Sequence, residues 1–419
     1  MTNCALARTP LLLSLLVLSP LMPAHSRAQT SPSKVPAISP AEQQGIDRDT
    51  AQHFGDAPPN PAPRARLSGS TRPGAVRAAM SRVADWELNR AQPYFDRTWT
   101  WSVLYTGFMA ASETLNNPRY RDAMEAVGEN HGWQLRSEYP NADDQSIGQT
   151  YLELDMQQPS PEIIAPTQAA LDDLLAGGAA VIPANQAKIP WWWCDALFMA
   201  PPVWSRMYAV THDQKYLEYI DQHWQETSAL LYDPHRHLYY RDITWLHKTD
   251  PRGDPVFWSR GNGWVMGGLA RTLDEMPASY SHRDFYANQL HEMANAIVKL
   301  QDPHDGLWHS DLLDPVDYPL PETSGSALIT FALAWGVNHD VLDRGAYTTV
   351  IEKAWRGLVQ QIDTDGRLGN VQQTGAGPAH YLPSSSYNYG VGAFLLAGAQ
   401  VADLSAHPGK KRHPLPQAP

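Results

Sequence analysis

Cysteine is nearly absent from this chain. Two occur in 419 residues, Cys4 and Cys194. Cys4 precedes an apolar run, Leu11 to Leu21, that is too short to span a bilayer and follows the positive Arg8. The small-x-small triplet Ser26-Arg27-Ala28 then marks residues 1–28 as a signal peptide cleaved after Ala28, which implies secretion to a compartment such as a bacterial periplasm. The mature chain keeps only Cys194, which excludes an intramolecular disulfide and a cysteine-rich zinc site. Basic charge is also in deficit: Lys and Arg total 32 against 44 Asp and Glu, a net charge of -12, so electrostatics give no reason to bind nucleic acid. G-x-S-x-G, Walker and zincin motifs are missing, as is strand–helix alternation with glycine-rich turns, which argues against a doubly wound sheet. No histidine spacing suggests a metal site, and no metal or cofactor is expected. Phenylalanine is sparse, 8 residues, beside 15 Trp and 18 Tyr. Rings that carry a polar handle suit a wet cleft on which sugars stack, although a helical core that happens to use Trp gives the same count.

What remains is helical. Residues 29–75 are rich in Pro, Ser, Ala and Gln and read as a flexible leader; 406–419 read as a disordered tail. Between them, residues 76–405 alternate amphipathic helices with short polar breaks. Three breaks are alike: Asn116 to Tyr120, His212 to Tyr216 and Ser281 to Tyr286. Each pairs a cap signal with an aromatic that opens the next helix. About a dozen helices in antiparallel hairpins fit this length. An all-α (α/α)6 toroid, with short strands in its connections such as Leu238 to Asp242, accommodates them, its loops at one end lining a cleft.

Three segments look chemical. In the first, Trp191-Trp192-Trp193-Cys194-Asp195, a helical reading places Asp195 on one face with Trp191, Trp192, Phe198 and Met199. A carboxyl among rings is desolvated, which favours its neutral, proton-donating form; the plainer alternative is an N-cap for the helix that follows. The second, Trp258-Ser259-Arg260-Gly261-Asn262-Gly263-Trp264, offers a guanidinium suited to a carboxylate, between glycines that let backbone approach a ligand, or else a tight turn with a structural arginine. In the third, Asp143 and Asp144 open a helix, where the backbone dipole favours acids; a functional reading pairs one of them with Asp195 across the cleft. Gly306 to Ser310, which includes Trp308 and His309, then Glu322 to Ser326, and the segment from Tyr387 to Leu396 read as rim elements, or as close helix packing.

Four segments, in this order, resemble glycoside hydrolase family 105, the unsaturated rhamnogalacturonyl hydrolases, close to family 88: WWWCDALFMAPP at 191–202, FWSRGNGW at 257–264, PETSGSALITFALAWGVN at 321–338 and YGVGAFLLAGAQV at 389–401. The resemblance spans about residues 85–402. It implies an (α/α)6 barrel that removes a 4,5-unsaturated uronic acid from the non-reducing end of an oligosaccharide left by a polysaccharide lyase, by hydrating the C4–C5 double bond. It implies Asp195 as general acid/base and Asp143 as the second acid, with Asp144 adjacent. Substrate contacts are implied at Trp192, Trp258, Arg260, Asn262, Trp264, Trp308 and His309. Some members carry a histidine where this chain has Arg241, which leaves the leaving sugar open and gives Arg241 itself as a reader of the uronate. The only partner expected is the oligosaccharide: no nucleic acid, no membrane after signal cleavage, and a monomer. The competing readings are another toroidal carbohydrate enzyme, such as a lyase, an inverting glycosidase or an epimerase, and a non-catalytic sugar-binding protein.

Overall fold

Two kinds of helix alternate along the chain, and their burial separates them. In the computed structural model, which describes residues 1–2, 37–138 and 140–406, one kind is buried all round. Helix α13 (Thr323–Asn338) is buried from Thr323 to Val337, and α11 (Ser259–Glu275) from Ser259 to Leu273. The other kind buries only a stripe: α10 (Lys215–Leu231) buries Tyr216, Leu217, Ile220, His223, Trp224, Thr227 and Leu231, at the spacing of one helical face. A helix without a polar face must sit inside others, and one with a stripe must sit outside them.

The packing follows. Six inner helices touch in a closed ring: α3 (Trp99–Leu115), α6 (Gly148–Gln157), α9 (Pro201–Thr211), α11, α13 and α15 (Asn388–Ala406), which returns to α3. Outer helices α2 (Pro73–Ala91), α4 (Arg119–Asn130), α7 (Pro161–Leu175), α10, α12 (Arg283–Ile297) and α14 (Arg344–Val359) pack against them. This is the (α/α)6 toroid expected from the sequence. The breaks at Asn116, His212 and Ser281 are inner-to-outer turns, and Asn116 and His212 close theirs in the left-handed conformation. Two short helices, α5 (Ala142–Gln145) and α8 (Ala196–Met199), precede α6 and α9. Strand β2 (Tyr232–Asp233) pairs antiparallel with β3 (Leu238–Tyr239), and β1 (Gly55–Asp56) with β4 (Ser386–Tyr387). Where α15 closes on α3, glycine is required: a Cβ on Gly392 would collide with the Val103 carbonyl, and one on Gly107 with the backbone of Gly392.

The leader differs from expectation. Residues 3–28 of the expected signal peptide and residues 407–419 of the expected tail lie outside the described residues, but helical structure begins at Pro40. Helix α1 (Pro40–Ala51) starts with a full capping box between Ser39 and Glu42. It docks on the 372–380 loop through polar bonds: Asp49, fully buried, accepts from the Thr374 N–H and hydroxyl at 2.6 Å each, and Glu42 accepts from the His380 N–H at 2.7 Å. Its composition is hydrophilic because hydrogen bonds, more than apolar area, hold it. The described residues from 37 to 406 form one compact unit, to which all that follows refers. Among the described residues no helix is long and apolar enough to cross a membrane.

Candidate active site

The two predicted acids come from different hairpins, and specific bonds bring them together. Trp204 on α9 donates its indole N–H to the Gln145 side chain at 2.8 Å, and Gln149 donates to the Phe198 carbonyl at 2.9 Å. Arg271 on α11 holds the Gln149 side-chain oxygen at 2.6 Å. The α5–α6 corner carrying Asp143 is thereby fixed to the α8 corner carrying Asp195.

Asp195 stands before α8 but does not cap it; its side chain bonds no backbone N–H of that helix. It keeps 9% of its surface open. Its Oδ2 accepts from the Cys194 thiol at 3.3 Å and lies 3.8 Å from Arg241 Nε. Residues 191–193 are not helical: Trp193 bridges antiparallel to Asp242, and the Cys194 N–H donates to the Arg241 carbonyl at 2.8 Å. The expected cage of indoles around Asp195 is corrected accordingly. Trp191 points to the outer layer, against Tyr219 and His223, with its carbonyl held by Thr227. Trp192 is half-buried, under the Arg241 guanidinium.

Asp143 is half-buried, and its carboxyl accepts no hydrogen bond among the described residues. Burial, then the Asp195 charge, push it up to about 7, against the opposing Arg241. Burial also raises Asp195, opposed first by Arg241, then by the Cys194 hydrogen bond and by Arg260. With Asp143 raised to about 7 and Asp195 raised by burial, the site keeps a proton on a carboxyl near neutral pH. Asp144 has a different environment. Its carboxylate takes Arg136 Nη1 at 3.3 Å, and its N–H is capped by Asn141. Of the adjacent pair, Asp143 is thus the one electrostatically joined to Asp195.

Arg241 is half-buried, gives 2.5 Å to Asp242 and leaves Nε without a hydrogen bond. It is the cation that holds both carboxyls down. Replacing it with Met therefore raises the pair's titration, so the alkaline limb of kcat/KM moves to higher pH. A limb left in place by Arg241→Met would show that another cation controls the pair.

The glycine-flanked segment is a wall, not a contact surface. Arg260 is fully buried; Nη1 and Nη2 donate to the Gln372 and Gln373 carbonyls at 2.8 and 2.9 Å, and its plane lies between the rings of Trp258 and Tyr389. Asn262, also fully buried, clamps Tyr239 by its N–H (2.8 Å) and carbonyl (3.1 Å). Trp264 is sealed against Phe198 and Trp99. Trp258 bonds Gln372 and is 3% exposed. Gly261 and Gly263 face Cys194, Trp258 and α13, so they admit neighbouring elements and not a ligand. Trp308 is core, its N–H on the Ile297 carbonyl. His309 is buried on the Tyr318 carbonyl, with Nε2 3.5 Å from Asp302. Direct substrate contact by Arg260, Asn262, Trp264 and Trp308 is corrected to positioning: none has an exposed face. Asp302, Asp305 and His309 place ligand atoms within 4.8 Å of one another, the one such group among the described residues with metal-like spacing.

The sequence reading passed over Arg136 and the 372–374 loop, and took Glu322 only as part of a rim segment. Glu322, fully buried, caps α13 by accepting from the Ser324 and Gly325 N–H groups and also takes the Gln372 N–H at 3.1 Å.

The glycosyl hydrolase family 88 model matches residues 74–405. The chain belongs to glycosyl hydrolase family 88. It is 39% identical over 346 residues, 78% of this chain and 91% of the relative, to an unsaturated 3S-rhamnoglycuronyl hydrolase of Formosa agariphila. Among solved structures, a family 88 glycosyl hydrolase from Bacteroides vulgatus superposes with a TM-score of 0.73 at 29% identity, covering 80% of this chain and all of that one. A protein named as a polysaccharide lyase does so at 0.73 and 30%, covering 81% and 99%. The kinship expected of families 105 and 88 is borne out.

Proposed function

We propose that this family 88 hydrolase removes a 4,5-unsaturated uronic acid from the non-reducing end of an oligosaccharide, with Asp195 and Asp143 as the reacting pair. The observation that supports this most is the pair of raised carboxyls beside Arg241, with Asp143 raised in part by the Asp195 charge. The proton held by the pair passes to C4, and the C4=C5 electrons form the new C–H bond. Positive charge at C5 is spread onto the ring oxygen. Water adds at C5 and returns a proton to the carboxylate, so the pair ends as it began. The resulting hemiketal opens and the leaving sugar departs from C1. Arg241 serves the uronate carboxylate while it tunes the pair. The 3S-rhamnoglycuronyl relative supports a rhamnose as the leaving sugar.

The neighbour named as a lyase gives a second reading on the same scaffold. The two differ in sign. Fed with unsaturated disaccharides, the hydrolase destroys the ultraviolet absorbance of the conjugated enoate; fed with intact polymer, a lyase creates it. Loss of absorbance with release of a free reducing sugar is the expected result. Growth of absorbance on polymer, with none lost on the disaccharides, would overturn the hydrolase assignment.

A further inference from the structure

Between α12 and α13 the chain makes a tight loop outside the carboxyl site. Three side chains converge there at the spacing Asp302-x-x-Asp305-x-x-x-His309, and their ligand atoms lie within 4.8 Å of one another. Only one histidine is involved, so histidine spacing in the sequence gave no sign of it. The loop is pinned to α14. Gln301 donates to the Gly306 and Val350 carbonyls at 2.9 and 3.0 Å. Gly306 turns at φ 80°, where a Cβ would collide with the Lys353 carbonyl.

His309 is the informative member. Its side chain is only 9% exposed. Nδ1 lies 2.7 Å from the Tyr318 carbonyl. A carbonyl only accepts, so Nδ1 carries the proton and the neutral ring keeps its lone pair on Nε2. That buried nitrogen has no hydrogen-bond partner. It faces Asp302 Oδ2 at 3.5 Å, too far for a good N–H···O bond, and two lone pairs facing each other repel. The carboxylates are oriented by backbone. Asp302 Oδ1 accepts from the His304 and Asp305 N–H groups at 2.6 and 3.1 Å, and Asp305 Oδ1 from the Leu307 N–H at 2.8 Å. Each thus keeps a second oxygen for a ligand. Lys353 offsets the Asp305 charge only from a distance, with no ion pair between them among the described residues.

The donor set names the ion. An imidazole nitrogen with two carboxylate oxygens suits zinc, which binds both at about 2.0–2.2 Å. Tetrahedral ligands at that distance stand about 3.4 Å apart, close to the 3.5 Å between Nε2 and Oδ2. Calcium, which takes roughly six to eight oxygens, fits poorly. An Nδ1–H on a backbone carbonyl is also how zinc-bound imidazoles are held. Both acids are half-buried, which leaves an entry path and room for a water.

We propose that Asp302, Asp305 and His309 bind a zinc ion, with water as the fourth ligand, as a structural clamp. A small turn of the Asp305 carboxylate completes the set. The neighbouring contacts give the ion its role. Ser310, next to His309, accepts the Ser259 N–H at the start of α11 at 2.9 Å and donates to the Gln372 side chain at 2.6 Å. The Gln372 carbonyl in turn holds Arg260. The ion fastens the segment behind the Arg260 wall, and its ligands include neither Asp143 nor Asp195. The proposal is therefore independent of the hydrolase reading.

The test adds zinc chloride to the metal-stripped full chain, with calcium chloride as control, and follows binding by calorimetry and unfolding by heat. Zinc at a hundredfold over its Kd raises Tm by about 3 °C, and calcium does not. Asp305→Asn and His309→Gln each weaken zinc binding by at least about tenfold and cancel the rise, while Asp195→Asn changes neither. Asp305→Asn keeps the side chain's shape and its bond to Leu307, so it carries the test if His309→Gln unfolds. Zinc that fails to bind or to raise Tm overturns the proposal. So does zinc binding that survives Asp305→Asn, or that Asp195→Asn abolishes.

Discussion

Asp195→Asn lowers kcat for double-bond loss by about 1,000-fold, the scale of a lost general acid, while KM stays near wild type. The substitution keeps shape, so Cys194 and the 193–242 bridge retain their partners. What it removes is the transferable proton and the negative charge. The second loss has its own signature. The Asp195 charge is one cause of the raised Asp143, held at about 7; without it Asp143 titrates lower, which a pH titration of the variant checks. A variant with more than a tenth of wild-type kcat would remove Asp195 from the chemistry. Stability follows the same linkage. A folded-state carboxyl raised to about 7 keeps a proton that the unfolded chain has released, so its contribution falls as pH climbs from about 4, the usual aspartate value, to neutrality and is flat above.

Arg260→Ala destabilises the fold by about 4 kcal/mol. Two buried carbonyls, at Gln372 and Gln373, lose charged donors, each costing about 1–3 kcal/mol, and the space between Trp258 and Tyr389 is left to collapse. Arg260→Lys restores charge but not the fork that spans both carbonyls, and lands between. Chemical denaturation measures both. The same loop carries Thr374, the partner of Asp49 and Arg48, so Arg260→Ala also loosens the dock of α1. A loss under 1 kcal/mol would mean that the carbonyls find other donors.

The contrast between these two residues shows what the sequence could disclose. Asp195 stood out in the sequence because an acid in an otherwise apolar, tryptophan-rich stretch has few structural uses, and the main one, capping, is not made in the structure. The hairpin turns were legible because caps and left-handed closures are local. Arg260, Asn262 and Trp264 were misassigned for a physical reason. An inner helix, surrounded on every side, presents polar and aromatic residues just as a ligand pocket does. The partners that satisfy Arg260 lie more than a hundred residues away, on the 372–374 loop, and no local pattern announces them. Helix α1 was misread as leader because its docking relies on buried polar bonds such as Asp49 to Thr374, which composition scores as solubility. Arg136 was missed because an exposed arginine in a loop carries no signal until the fold brings it to Asp144.

The closure of α15 on α3 bears on how the molecule is made. The last inner helix wedges between α13 and α3, with Gly392 pressed against Val103. A ribosome must therefore release nearly the whole chain before the annulus can shut, and α1, synthesised early, waits for a loop around residue 374 before it has a dock. Assembly of the ring is set by its two ends meeting, a contact of very long range along the chain, and such contacts are slow to form in folding. Until then the nascent polypeptide is an open arc of hairpins with its apolar inner face exposed, the state in which chaperones and proteases meet it.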